Sequence, residues 1–410
     1  MLVIGPKRLF WRFAFIGIMI IDLATGYLLA SNAIPEGGIF SPSQLGRLII
    51  LLYFAGLILR NKEISLWFIF GITPFLLIEL LYGAAHSQVS GLLYGLISVA
   101  KLAVLAAPFF VTFDELDQRE IVQSFKLGAL FMASVIVISL VLDIGKPTYA
   151  SGGFGTKSFF PSGNDIGAYL GGATLLLIVA RHYELIKLNT ISIAILLTGL
   201  TFISSKASLL FMLASIFFLA YHSRLMIPLT VLSSLVVLYY ADHLSQAAAM
   251  VGEIIVRRYY EADGDWIRFL LSGRELYVHE AIQRFSEQNS TVRLLFGQGI
   301  FVGPQHVNQA SQVDFLEADP FDIFFMFGTL GVIVFLVFWR HLIIMSKAKP
   351  WFAFPLGLLF LHSSLAGHVV FSGLFLQTVI VATVLLERKR HDELTPINFF
   401  IPSQARSHAR

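Results

Sequence analysis

Apolar residues in this chain occur in long runs, and short polar links separate one run from the next. A helix needs about 20 apolar residues to cross the hydrocarbon core of a bilayer, and a spanning segment must satisfy its backbone groups internally. The pattern therefore predicts about twelve transmembrane helices, near residues 10–30, 45–59, 64–84, 92–112, 124–143, 164–180, 189–204, 206–222, 225–241, 321–339, 350–366 and 369–386.

A segment of about 80 residues separates the ninth predicted span from the tenth, and it is too long for a simple link. Residues 245–262 have apolar positions at helical spacing, and Ser272-Gly273-Arg274-Glu275 is a capping-box pattern that opens a second helix over about 273–286. We expect an all-α polytopic membrane protein with four parts: spans 1–9 in residues 1–241, a large and mostly helical loop in 242–320, spans 10–12 in 321–386, and a basic tail in 387–410.

The distribution of lysine and arginine predicts the orientation of the chain. With the N-terminus on the inside, the inner segments hold eighteen basic residues and the short outer links hold four. Positive residues accumulate on the cytoplasmic side of membrane proteins. Both termini are therefore expected in the cytoplasm, and residues 242–320 are expected on the outer face.

Composition agrees with a membrane protein and excludes several classes of site. Only 13% of the residues are charged, against about a quarter in soluble proteins. The net charge of +3 gives no indication of nucleic-acid binding. The chain has no cysteine, which excludes disulfides and cysteine metal sites, and we find no convincing metal-ligand cluster.

Basic residues of the outer loop are candidates for binding a phosphate group. Arg257, Arg258, Arg268 and Arg274 lie in the loop, and Lys206 lies in the outer link Ser204-Ser205-Lys206. Arginine binds phosphate through paired hydrogen bonds, and Arg274 would add its charge to the positive end of a helix. The alternatives are a solvated or lipid-headgroup face for the arginines, and a lysine that extends to the membrane surface for Lys206.

Acidic residues where the loop enters the tenth span are candidates for a general base. Glu317, Asp319 and Asp322 are expected at the outer membrane boundary, where a carboxylate could accept a proton from a hydroxyl. Asp319 precedes Pro320, which also predicts that Asp319 caps the helix. Two loop histidines, His279 and His306, are reserve candidates.

Other polar or glycine-rich positions accompany these candidates. The segment 294–303 has three glycines, which predict a tight turn or a short strand; Gly297 and Gly299 could let the backbone approach a substrate closely. Inside the spans, Glu79 and Lys101 form a candidate charge pair of structural character.

Four motifs, in this order, resemble the superfamily of O-antigen polymerases and O-antigen ligases, which are glycosyltransferases of the bacterial envelope. They are Phe160-Pro161-Ser162-Gly163-Asn164, then Ser204-Ser205-Lys206, then Ser272-Gly273-Arg274 with Phe296-Gly297-Gln298-Gly299, and finally Gly328-Thr329-Leu330-Gly331. Ligases carry His-Asn eleven and ten residues before the first glycine of the last motif. Glu317 and Ala318 occupy those positions here, which favours a polymerase.

The resemblance implies a membrane glycosyltransferase with a GT-C-like fold in the bacterial inner membrane. It would transfer glycan from a polyprenyl diphosphate to a sugar hydroxyl, with inversion and without a metal or other cofactor. Arg274, Arg257, Arg258 and Lys206 would bind the diphosphate; Glu317, Asp319 or Asp322 would act as base; Asn164, Gly297, Gly299 and His306 would support the site. The expected partners are the lipid-linked oligosaccharide, the bilayer and a chain-length regulator. A ligase, a transporter of lipid-linked sugars and a non-catalytic scaffold are the alternatives.

Overall fold

The computed structural model is mostly helical over the residues that it describes. Those residues are 6–33, 42–60, 62–85, 95–96, 99–100, 109, 111, 113–148, 155–160, 162–222, 256, 259–260, 263–271, 273–287, 290–297, 299, 316, 318–367, 370 and 372–387. The helices are α1 (Pro6–Arg12), which continues through a π-helical turn (Phe13–Gly17) into α2 (Ile18–Ala30), α3 (Pro42–Ile58), α4 (Lys62–Ala85), α5 (Glu115–Val141), α6 (Gly163–His182), α7 (Thr190–Ile203), α8 (Lys206–His222), α9 (Trp266–Leu271), α10 (Arg274–Glu287), α11 (Thr291–Phe296), α12 (Asp319–Met345), α13 (Ala353–Ala366) and α14 (Gly373–Glu387). Two short 3-10 helices (Ser346–Ala348 and Pro350–Phe352) join α12 to α13, and strands β1 (Lys146–Pro147) and β2 (Thr156–Ser158) pair antiparallel between α5 and α6.

Helices occupy the positions of ten of the twelve predicted spans. The other two, 92–112 and 225–241, lie largely or wholly outside the described residues. Among the described helices, three are long and apolar enough to cross a membrane: Lys7–Ala30, Glu115–Val141 and Asp319–Ala348. Several others are apolar but shorter, and their crossing of the bilayer stays a prediction.

The centre of the bundle is formed by α6 and α14, and α14 is buried on all sides from Gly373 to Leu386. Helices that are apolar all round are expected in such central positions. On α6, Gly167 and Gly171 lie one turn apart and face α8: a Cβ on Gly167 would lie 2.6 Å from the Ser205 hydroxyl, and one on Gly171 would lie 2.5 Å from the Phe211 side chain. Small residues at this spacing let two membrane helices approach closely.

Ion pairs join the start of α1 to the start of α5. Lys7 Nζ lies 2.6 Å from Asp114 and 2.9 Å from Asp117, and Arg8 lies 3.2 Å from Glu120. Asp114 is the N-cap of α5, and the hydrogen bond from Lys7 holds the pKa of its carboxyl below the usual value. These contacts place the first residues of α1 and α5 on the same side of the bundle.

Helix α12 is broken at Gly328, whose φ of 64° and ψ of −161° are not helical. Near its start, the Asp319 carboxylate accepts a hydrogen bond from Ser363 of α13. Further along, the ring of Phe335 lies 6.0 Å from that of Phe360, also in α13. In a straight α12, Asp319 and Phe335 would lie about 24 Å apart. Their partners Ser363 and Phe360 lie only about 4.5 Å apart along α13.

The break at Gly328 therefore turns the first part of α12, residues 319–327, strongly away from the axis of the rest. This corrects the prediction of one continuous span over 321–339. The part after the break, residues 329–345, rises about 26 Å, and the 3-10 turn extends it to nearly the thickness of a bilayer core.

We predict that alanine in place of Gly297 or Gly328 destabilises the protein. A Cβ on Gly297 would lie 2.3 Å from the Met326 carbonyl, and one on Gly328 would lie 2.4 Å from the Leu295 backbone; both glycines have positive φ. The backbone strain alone costs on the order of 1–3 kcal/mol. Thermal unfolding in detergent is expected to show a lower Tm for Gly297→Ala and for Gly328→Ala.

Gly357→Ala is the matched control, because nothing lies within 4 Å of a Cβ built at that helical position. Removal of a glycine there is expected to be neutral or slightly stabilising. Equal Tm values for Gly297→Ala and Gly357→Ala would contradict the close approach.

Candidate functional site

The two glycine motifs of the sequence analysis contact each other through their backbones. Gly297 lies against Met326 and Phe327 of α12, and Gly328 lies against Leu295 of α11. The Thr329 hydroxyl also donates to the Leu294 carbonyl at 2.9 Å. The glycines thus permit a close approach of the chain to itself, and this contact carries the loop segment to the break in α12.

The segment that begins at Leu294 is not a strand where it is described. Residues 294–296 end α11, and Gly297 and Gly299 both have positive φ. The positive φ of both glycines is typical of turns, and the prediction of a short strand is wrong at 294–296. The remainder of 294–303 lies outside the described residues.

Glu79 of α4 lies beside the same turn. Its side chain is fully buried, and a Cβ on Gly299 would lie 3.0 Å from its carboxylate. A Cβ on Gly95 would lie 2.0 Å from the same carboxylate. Lys101, the predicted partner of Glu79, lies outside the described residues.

Lys206 is presented by a serine turn at the start of α8. Ser204 ends α7 in a left-handed conformation, and Ser205 and Ser208 exchange hydrogen bonds in a reciprocal cap. The Lys206 ammonium donates to the Phe269 carbonyl of α9 and lies 4.5 Å from the centre of the Phe269 ring. This contact joins α8 to the loop.

Arg274 is the first residue of α10, one position after the predicted start at 273. Its side chain is nearly buried, and Nη1 donates to the Leu271 carbonyl at 3.1 Å. Phe269 and Leu271 lie within one turn of α9, so Lys206 and Arg274 converge on the end of the same short helix. The last carbonyls of a helix have no partner within it, and cations satisfy them well.

Arg268 has carboxylate partners within the loop. It contacts Asp263, and its Nε lies 3.4 Å from Glu275. The structure therefore favours a structural role for this arginine. Arg257 and Arg258 lie outside the described residues.

Asp319 and Asp322 are buried, and both carboxylates accept hydrogen bonds. Asp319 accepts from Ser363 at 2.5 Å and from the Val370 N–H at 3.1 Å. Asp322 accepts from the N–H groups of Leu316, at 2.7 Å, and Ala318, at 3.2 Å. Asp319 thus joins α12 to the end of α13 and its following link, while Asp322 fixes the entry of the loop into α12.

The cap of α12 differs from the prediction by one position. Ala318 has extended backbone angles and is the N-cap, Asp319 is the first helical residue, and Pro320 is the second. The carboxylate of Asp319 contacts Ser363 of α13 and the Val370 N–H of the following link. Glu317 and His306 lie outside the described residues.

Asn164 lies in the first turn of α6, where the sequence motif predicted the start of a helix. Ser162 is the N-cap, and its hydroxyl accepts from the Asp165 N–H at 3.3 Å. The hairpin before it packs on the serine turn, since Thr148 donates to the Ile203 carbonyl at 2.6 Å. The link that carries Asn164 and the turn that carries Lys206 are therefore neighbours.

The described candidates lie at one end of the bundle. The ring of Phe211, five residues after Lys206 in α8, is 6.3 Å from that of His362, which adjoins the Ser363 partner of Asp319. Asp319 and Lys206 therefore lie toward the same end of the bundle. In contrast, His279 is exposed on α10, and within the described part of the chain no group of three or more His, Cys, Asp or Glu could hold a metal ion.

Two residues of this region gave no signal in the sequence. Ser363 follows Asp319 by 44 positions and belongs to an apolar helix. Arg293 of α11 is partly buried, and its Nη1 has no hydrogen-bond partner among the described residues. An isolated arginine outside any motif is not distinguished by its sequence.

Comparison with known proteins gives no match: no family model, curated protein or solved structure is similar to the chain.

We predict that Asp322→Asn lowers stability. An amide has one acceptor oxygen for two backbone N–H groups, and an unsatisfied buried group costs about 1–3 kcal/mol. A lower Tm in detergent is expected, whereas Asp143→Asn at an exposed position leaves it unchanged. Loss of function with an unchanged Tm would indicate a chemical role for Asp322 instead.

Proposed function

We propose that the protein is a polymerase of lipid-linked oligosaccharide repeat units. The convergence of Lys206 and Arg274 on α9, at the end of the bundle where the acidic start of α12 also lies, is the observation that carries the proposal. Cations and carboxylates at one end of the bundle are what a diphosphate leaving group and a hydroxyl acceptor require.

The proposed reaction transfers a glycan from polyprenyl diphosphate to the sugar hydroxyl of an acceptor. The bond between the anomeric carbon and the diphosphate oxygen breaks, and a bond from that carbon to the acceptor oxygen forms with inversion. The hydroxyl proton passes to a carboxylate, and the diphosphate leaves on the polyprenyl lipid. No metal or other cofactor enters the proposed scheme.

Each candidate residue has a proposed role. Arg274 and Lys206 stabilise the negative charge that develops on the diphosphate, and Arg257 and Arg258 complete the cationic set. Glu317 or Asp319 accepts the proton. Asp322 is a positioning residue, because its carboxylate holds the N–H groups of Leu316 and Ala318, the sequence neighbours of Glu317. Asn164, Gly297, Gly299 and His306 support the site.

The cellular setting completes the proposal. The site would face outward from the bacterial inner membrane, both termini would be cytoplasmic, and lipid-linked donor and acceptor would enter laterally from the bilayer. A chain-length regulator is the proposed protein partner.

Deletion of the gene tests the function directly. Surface polysaccharides are separated by size on a gel, with plasmid rescue as control. A polymerase predicts the loss of long chains while single repeat units remain. Repeats that accumulate on the lipid carrier and leave the lipid A core unmodified would indicate a ligase, and an unchanged profile would reject both enzymes.

We predict that Arg274→Ala lowers the rate of polymerisation by about 100- to 1,000-fold, the usual effect of one lost donor to a developing anion. Arg268→Ala is the matched control on the same loop, because Asp263 and Glu275 already hold Arg268. Purified variants are assayed with a polyprenyl-diphosphate-linked oligosaccharide, and protein amount and Tm are measured in parallel. Equal rates for the two variants would remove Arg274 from the diphosphate site.

A further inference from the structure

Helix α11 has no buried residue, although most of its side chains are apolar. Val292 is 64% exposed, Leu294 and Leu295 are each 47% exposed, and Phe296 is 40% exposed. A cluster of this kind on the outside of a protein marks a contact with another apolar phase or molecule.

The contact between α11 and α12 indicates that this apolar phase is lipid. Thr329 donates to the Leu294 carbonyl. Ile333, Leu336 and Val337 lie four, seven and eight residues after Thr329, so they share one face of α12 with it. These three side chains are 53%, 51% and 57% exposed. They form the outward face of a helix apolar enough to cross a membrane. Helix α11 therefore adjoins this face at its loop-side end, where Thr329 contacts Leu294.

The depth of α11 agrees with contact to lipid. Residues 329–345 rise about 26 Å, which is slightly less than the ~30 Å thickness of a bilayer core. The hydrocarbon region therefore reaches the break at Gly328. Leu295 lies against Gly328 itself, so α11 is held at the boundary between hydrocarbon and headgroups.

We propose that α11 is an interfacial helix whose exposed side chains contact the acyl chains of the leaflet at this end of the bundle. Leu294, Leu295 and Phe296 insert among the chains, as the apolar face of an interfacial helix does. This part of the predicted outer loop belongs to the membrane surface and not to a water-exposed domain.

The lipid contact does not rest on the proposed enzymatic function. A loop that enters the interface beside a membrane helix has the same apolar surface whichever reaction the protein performs. A negative result for the polymerase would leave this inference intact, and the reverse also holds.

The absence of cysteine from the sequence makes a site-specific test direct. Leu295→Cys and Phe296→Cys are labelled with an environment-sensitive NBD dye, and the full chain is reconstituted into vesicles of phosphatidylethanolamine and phosphatidylglycerol. Val337→Cys is the control within the span, and Gln283→Cys, on the exposed side of α10, is the control in water.

The expected result is a blue-shifted emission at both α11 positions, with quenching by nitroxide-labelled lipids as strong as at Val337→Cys and weak quenching by aqueous iodide. Red-shifted emission with iodide quenching, as at Gln283→Cys, would overturn the proposal. Protection from both quenchers would also overturn it, because another part of the chain would then cover α11. Agreement between the two labelled positions shows that the emission reports the environment of α11 and not a local effect of one dye.

Discussion

The contact between Gly297 and Gly328 controls the architecture of the loop side of this protein. Two backbone segments approach so closely there that neither position has room for a Cβ atom. A membrane helix can be interrupted only where other groups cover the exposed backbone, and α11 supplies such cover at the break. The interruption in turn lets residues 319–327 leave the axis of the span. The acidic start of α12 can then reach Ser363, and the loop can rest on the bundle.

The charged residues at the loop side of the bundle make structural contacts in addition to their proposed chemical roles. Lys206 and Arg274 hold the end of α9 against α8 and α10, and Asp319 and Asp322 fix both sides of the α12 start. Charges near lipid are costly, so each is retained with specific contacts. Lys7 and Arg8, on α1, show the other common solution, since they pair directly with the carboxylates at the start of α5.

The sequence predicted the positions of the helices better than the contacts between them. Long apolar runs located ten helices, because run length is itself what a bilayer selects. The pattern around Arg274 located the start of α10 to within one residue, since such patterns depend on neighbouring residues. The break in α12 was not predicted: Gly328 lies in an uninterrupted apolar run, and its conformation depends on Gly297, which is 31 positions away. For the same reason no local pattern pairs Asp319 with Ser363, and the cap of α12 was misplaced by one residue.

Helix α14 has a consequence for the assembly of the protein. It is enclosed on every side, yet it is synthesised after all the other described helices. Gln377 from its middle donates to the Ala14 carbonyl in the first helical segment, and Lys349 holds its final carbonyls. The bundle can therefore close around α14 only after all the other described helices have been synthesised. Packing of α14 joins the first helical segment to the last.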